Sequence, residues 1–379
     1  MIKPTDNKTG DICRRSYHLE VFIMCNYRKF LVLILIAGLI VLTGGLLYIK
    51  WSDSVFASKQ DDTEPVFGNI SELKVIPSGE PVGIYLKTSG VLVVDTAEFC
   101  DITGNEVCPA AGTLKTGDYI TAINGTKTEN KSDLLEIIED CNGADLTITY
   151  ERDGVEYEAD ITPVLSEDGT YMAGIWVKDD ISGIGTITFI CDDSYMALGH
   201  SVSDNDTGLM IKASGGGIYS TYIFQIDKSY DNIPGQLEGT IVYKRDLIGT
   251  VQKNLECGIY GILDEEYIEE NYDESEAVYV ASADEVHTGT AYICSRLSNE
   301  KKLYEIEITK INRDVDVKNI EFVVTDDELI ALTGGIVQGM SGSPILQDGK
   351  LIGAVTHVLV DNSTNGYAIF AETMINQVD

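Results

Sequence analysis

Thr333–Val355 reads TGGIVQGMSGSPILQDGKLIGAV, and two features of it set the architecture. Asp348-Gly349 sits between two apolar runs; a two-residue hairpin turn needs positive φ at both positions, so the pair predicts an antiparallel hairpin. Just ahead of it, Ser341 lies in Gly339-Met340-Ser341-Gly342-Ser343-Pro344. Glycines on either side let the backbone N–H groups of Gly339 and Ser341 point at one spot beside the Ser341 hydroxyl. An oxyanion hole needs that arrangement, and losing one such donor typically costs about 3 kcal/mol of barrier lowering. A glycine-rich turn that joins two strands and does no chemistry fits the same letters. A second site elsewhere in the chain has to decide.

The 379 residues exceed one ordinary core, and 44% hydrophobic residues suffice for several. Thirty-six glycines against eight prolines suit a mostly β chain with many turns. Phe30 to Ile49 is an uncharged apolar run long enough to cross a bilayer as a helix. No clean small-x-small cleavage site follows it, and the polar segment 1–29 is long for a signal peptide, so 30–49 reads as an uncleaved signal anchor. Arg28 and Lys29 abut its front while only Lys50 follows, which keeps the N-terminus cytoplasmic and exports the rest. Net charge is −34 although residues 1–50 are basic. A body that acidic repels phosphate backbones, which excludes nucleic-acid binding. Eight cysteines include no Cys-x-x-Cys pair and no zinc-site spacing, so neither metal nor cofactor is expected. Cys100 and Cys108 either close a small loop or stay free thiols.

Residues 50–78 are mostly polar and read as a tether. From Gly79 the pattern changes to strand-like runs, Val82-Gly83-Ile84-Tyr85-Leu86 and Gly90-Val91-Leu92-Val93-Val94. Leu134, Leu135, Ile137 and Ile138 then recur at helical spacing, and strands follow around Asp153-Gly154. With Gly117-Asp118-Tyr119-Ile120-Thr121-Ala122-Ile123-Asn124-Gly125, residues 79–165 resemble a bacterial PDZ domain. That resemblance implies that Gly83, Ile84, Tyr85 and Leu86 form a carboxylate-binding loop, with the helix as the other wall of a peptide groove. A PDZ fold that serves only as a spacer is the alternative.

Residues 172–379 read as short β runs, and four histidines limit the choice of general base. His18 precedes the apolar span, and His287 has a turn-like surface context. His357 lies in the strand pair after Ser341, to line a cleft or to pack. His200 closes a strand–turn–strand unit, Gly185–Ile190 and Tyr195–His200, ahead of a polar loop. Serine needs an adjacent base because its free hydroxyl is a weak nucleophile, and His200 is the candidate.

Together the two sites resemble the trypsin-like double β-barrel peptidases, except that Met340 replaces the acid those proteins carry before the serine. The fuller resemblance is to the SpoIVB peptidases of endospore-forming bacteria. It covers the order anchor, PDZ, peptidase, and rests on Gly183-Ile184-Gly185-Thr186, Ala197-Leu198-Gly199-His200, Thr333–Pro344 and Gly353–His357. It implies Ser341 as nucleophile, His200 as base and Asp326 as acid, with Asp327 the competing assignment. It further implies export to the space between the forespore membranes, self-cleavage near the anchor, and cleavage of a membrane-embedded regulator that triggers pro-sigma-K processing. The expected partners are thus protein substrates including the chain itself, peptides in the PDZ groove, and the membrane through 30–49. A catalytically inactive PDZ binding module and a general envelope quality-control protease are the competing functions.

Overall fold

A computed structural model describes Phe67 and residues 70–378 except 244, 245, 299 and 360. The polar segment 1–29 and the apolar span 30–49 lie outside the described residues. Among the described residues no helix is long and apolar enough to cross a membrane.

Two closed β-barrels form the body. The second is built from one continuous stretch: β11 (Gly289–Ser295), β12 (Lys302–Ile311), β13 (Ile320–Val324), β14 (Pro344–Gln347), β15 (Lys350–Leu359) and β16 (Asn362–Phe370). These close in the order β11-β12-β13-β16-β15-β14. Alternation decides which faces turn inward: in β12, Tyr304, Ile306 and Ile308 are buried while Leu303, Glu305 and Glu307 are exposed. Asp348 and Gly349 carry the expected positive φ of 51° and 77°, which makes the tight β14–β15 turn.

The first barrel is interrupted. β1 (Lys74–Thr96) runs antiparallel to β5 (Ile175–Cys191) from Ile76↔Ile190 to Thr96↔Ile175. The lower part of this ribbon joins β6 (Ser194–Ala197), β7 (Ala213–Asp227), β9 (Leu247–Leu255) and β10 (Gly258–Leu263), and the ring closes where β7 pairs back onto β1. β8 (Gln236–Ile241) extends β7 as a hairpin arm. Val82, Ile84, Leu86, Ile187, Ile218 and Ile259 fill this barrel.

The upper part of the ribbon belongs to a separate core. There Val91, Val93, Ile120, Leu134, Ile138 and Ile148 pack together, drawn from β1, β2 (Tyr119–Ile123), α1 (Lys131–Asp140) and β3 (Leu146–Arg152), with β4 (Val155–Ile161) outermost in the sheet. Asn130 caps α1 by accepting from the Asp133 N–H at 2.9 Å. The PDZ-like domain is therefore inserted into a strand pair of the first barrel, and does not precede the barrel as 79–165 and 172–379 would have it. The tether expectation also shifts, because Val75 and Ser78 are buried within β1.

Between the barrels, Phe189, Met196 and Tyr260 meet Leu351, Ala354 and Ile369, sealed by α4 (Ala371–Asn376) through Met374 and Ile375. All six described cysteines are free, Cys100 and Cys108 included.

Candidate active site

Ser341 sits in the loop between α3 (Asp327–Thr333) and β14. The loop is held by its neighbours, since Ile336, Val337 and Met340 are all buried in the second barrel's core. Thr186 of β5 staples it from the first barrel: its hydroxyl donates to the Gly339 carbonyl at 2.7 Å and its N–H to the Ser341 carbonyl at 3.0 Å. Turning both carbonyls toward Thr186 leaves the N–H groups of Gly339 and Ser341 without an acceptor among the described residues. Two adjacent unsatisfied donors are what a developing oxyanion requires.

Gly342 brings the second side of the site in. A Cβ there would lie 2.0 Å from the Thr186 carbonyl oxygen and 2.5 Å from the Leu198 nitrogen. Only a glycine lets the serine loop touch the turn that ends β6. That turn is strained, with φ of 76° at Leu198 and 73° at Gly199, and a left-handed leucine costs roughly 1–3 kcal/mol. Burial of Leu198 over Gly185, whose added Cβ would lie 2.2 Å from the leucine Cδ2, holds the turn in place. The next residue is His200, which the turn aims into a cleft of about 360 Å³ lined also by Glu256, Lys318, Thr356 and His357.

His200 Nδ1 donates to the Ser201 carbonyl at 2.9 Å, which leaves Nε2 as the unprotonated nitrogen. Burial holds its pKa below the ordinary histidine value, the Lys318 charge adds to that, and the Ser201 carbonyl opposes it. The His357 ring lies 5.1 Å away, and burial, His200 and Lys318 push its pKa down to about 4. The Ser341 hydroxyl bonds to the Thr356 carbonyl at 2.8 Å, not to His200. Hydroxyl and imidazole are therefore not hydrogen-bonded to each other in this state.

Other sequence expectations fare differently. Asp326 caps α3: one carboxylate oxygen accepts from Glu328 and Leu329 N–H at 2.9 and 3.0 Å, and the other from Glu305 N–H at 3.3 Å. In this state Asp326 serves as a helix cap, and none of its hydrogen bonds reaches His200. Asp327 is an exposed first-turn residue of the same helix. His287 pairs with Asp348 at 2.8 Å on the surface; His18 lies outside the described residues. Ser343 is buried.

The carboxylate-loop assignment of Gly83, Ile84, Tyr85 and Leu86 is also overturned. These residues pair with β5 on one side and β7 on the other, and Ile84 and Leu86 are core residues. A segment bonded on both edges offers no place for an added strand. An open edge occurs higher on the ribbon, where Ile175–Lys178 pairs with β1 on one side only among the described residues. The sequence reading missed Thr186 as a staple. Its signal was Gly183-Ile184-Gly185-Thr186, where a buried polar residue follows two glycines.

Residues 169–375 match the family model described as SpoIVB peptidase S55. The chain belongs to that family. It is a serine endopeptidase. No curated protein matches it. Among solved structures, the PDZ domain of an SdrC-like protein from Listeria monocytogenes is 26% identical over 24% of this chain and 87% of that one, with a TM-score of 0.20. A protease from M. tuberculosis in its active form is 14% identical over 52% of this chain and 73% of that one, with a TM-score of 0.32. The HtrA-type protease AlgW, solved with a decapeptide, is 8% identical over 80% and 65%, with a TM-score of 0.31.

Proposed function

We propose that this S55 peptidase uses Ser341 as nucleophile, His200 as general base and the N–H groups of Gly339 and Ser341 as oxyanion hole. The observation that carries this is the contact of Gly342 with Leu198 and Thr186, which sets the serine loop of one barrel against the histidine turn of the other. In the reaction, the Ser341 hydroxyl leaves the Thr356 carbonyl and turns to His200 Nε2, a side-chain rotation of the ps–ns class. His200 takes its proton as Oγ attacks the scissile carbonyl, and the two free N–H groups receive the oxyanion. The imidazolium then protonates the leaving amine, and water repeats the cycle on the acyl-enzyme.

The inserted domain selects what is cut. An extended peptide adds to an open strand edge, and Ile175–Lys178 supplies one, with the start of α1 nearby because the Lys131 N–H donates to Asp179 at 2.9 Å. The physiological role is in sporulation signalling: the chain is anchored through 30–49, exported, released by its own cut in the tether, and cuts a membrane-embedded regulator ahead of pro-sigma-K processing. The family and the polar, unpatterned tether support this, since exposed polar segments are where nicking concentrates.

The test is the intact mass of full-length protein in membranes over time. The native chain is expected to lose its N-terminal segment, and Ser341→Ala to stay whole while folding normally. If Ser341→Ala is trimmed at the same place and rate, another protease does the cutting and self-release fails. If Ser341→Ala still hydrolyses a peptide substrate, the site assignment fails as well.

A further inference from the structure

We infer that the β7–β8 arm aims the oxyanion donor at Gly339, with buried Ser229 as the positioning residue that locks the arm onto the serine loop. This rests on the reading of the Gly339 and Ser341 N–H groups as oxyanion hole. Past Ser220, β7 leaves the first barrel and, among the described residues, pairs only with β8. The arm so formed lies against Ala331–Gly339, the stretch that leads from α3 to Ser341.

The contacts run the length of that stretch. The last carbonyls of a helix have no partner within it, and the arm takes two of those of α3. Lys228 Nζ donates to the Ala331 carbonyl at 2.6 Å, and the Ser229 N–H to the Thr333 carbonyl at 2.8 Å. The buried Ser229 hydroxyl is used both ways, donating to the Ile336 carbonyl at 2.7 Å and accepting from the Gly235 N–H at 2.9 Å. Gln338 is then held at both its backbone groups. Its N–H donates to the Gly235 carbonyl at 2.8 Å, and its carbonyl accepts from the Leu237 N–H at 2.9 Å. Two glycines of the Thr333–Gly339 run make this approach possible. A Cβ at Gly334 would lie 2.2 Å from the Ser229 carbonyl oxygen, and one at Gly339 would lie 2.8 Å from Leu237 Cδ1.

The contact at Gln338 is the one that bears on chemistry. The Gln338 carbonyl and the Gly339 N–H belong to one peptide unit, which is planar and trans, so the two groups point in opposite directions. Holding that carbonyl on Leu237 turns the Gly339 N–H away from the arm, where no acceptor among the described residues takes it. Thr186 does not set this unit, because it holds the carbonyls of Gly339 and Ser341, which lie further along the loop. An ion pair beside the serine does not set it either, since Met340 is buried and uncharged. Released from the arm, the same unit could rotate and present a carbonyl oxygen where the oxyanion develops, which replaces attraction by repulsion.

The experiment compares full-length native protein, Ser229→Ala, Lys228→Met and Ser341→Ala on a short peptide that the native enzyme cleaves, well below each melting temperature. It reads kcat, KM and the affinities of two inhibitors. One is a boronate of the same peptide, whose tetrahedral adduct with a serine puts an oxygen in the oxyanion hole; the other is the peptide product, which forms no adduct. Ser229→Ala is expected to lower kcat by about tenfold with KM and the acid limb of the pH profile unmoved, because the weakened interaction is made only in the transition state. Boronate affinity should fall by the same factor, and product affinity should hold. Lys228→Met alters only an exposed side chain and should show the same pattern at about two- to threefold; it carries the test if Ser229→Ala does not fold. A kcat within about twofold of native in folded Ser229→Ala, or native boronate affinity in whichever variant carries the test, overturns the inference. A loss shared equally by boronate and product overturns it too, since the arm would then serve binding and not the oxyanion. Peptide hydrolysis by Ser341→Ala would instead overturn the reading of the site, whatever the arm variants do.

Discussion

The two barrels have the same strand number and closure but different origins. The second is read straight off the chain, one strand after another from Gly289 to Phe370. The first loses its continuity after Lys87 and regains it at Asp180, residues that are cross-strand partners although a whole domain lies between them. The serine comes from the continuous barrel and the histidine from the interrupted one. The cleft therefore requires that a strand entering before the insertion and a strand leaving after it find each other. Non-local pairing of this kind pays loop-closure entropy before any contact repays it.

Replacing Ile84 with Asp should have the largest effect. If Ile84 belongs to the first barrel, the change buries an unpaired charge, which costs several kcal/mol and removes the cooperative fold. Thermal unfolding and limited proteolysis should report a collapsed first barrel and no activity. A variant that melts like native and loses only peptide capture would return Ile84 to a groove and undo the distinction between the barrels.

Thr186 crosses from one barrel to the other, so Thr186→Val tests whether the second barrel can hold its own serine loop. The change orphans the buried Gly339 carbonyl, a loss of roughly 1–3 kcal/mol. Because that carbonyl fixes the peptide planes around the oxyanion donors, kcat should fall by about ten- to a hundredfold. Thr186→Ser should keep most of the native rate. Equal kcat for all three would mean that the loop needs no staple from the first barrel.

Much of the second barrel was legible in the sequence. Asp348-Gly349 announced its turn, and the glycines around Ser341 announced a loop with free N–H groups. His200 stood out because it closes a strand–turn–strand unit, which the structure contains as β5, its turn and β6. The limits of the inserted domain were not legible, for a physical reason. β1 runs from Lys74 to Thr96 without a break in its strand character, yet Leu86 faces one core and Val91 another. A period of two shows that a strand has a buried face, not which domain buries it. Asp326 came from the family resemblance, and the cap was not read: an aspartate shortly before an apolar helical stretch is also what a helix N-cap looks like.

Asp326 also gives the smallest expected effect. Its two oxygens satisfy three backbone N–H groups, two of them at the start of α3. Replacing an N-cap aspartate with alanine typically costs about 1 kcal/mol. In a chain of this length that lowers the melting temperature by only about 2–4 °C. The helix ends at Gly334, φ 75°, just before the residues that lead to Ser341, so some loosening of the serine loop is expected on heating. Well below the melting temperature, kcat and the acid limb of the pH profile should match native for Asp326→Ala. Calorimetry and peptide hydrolysis on the same preparation separate the two roles. A fall in kcat of about a thousandfold at unchanged melting temperature would mean that Asp326 leaves its cap to reach the imidazole in the working enzyme. The second barrel would then supply both nucleophile and acid.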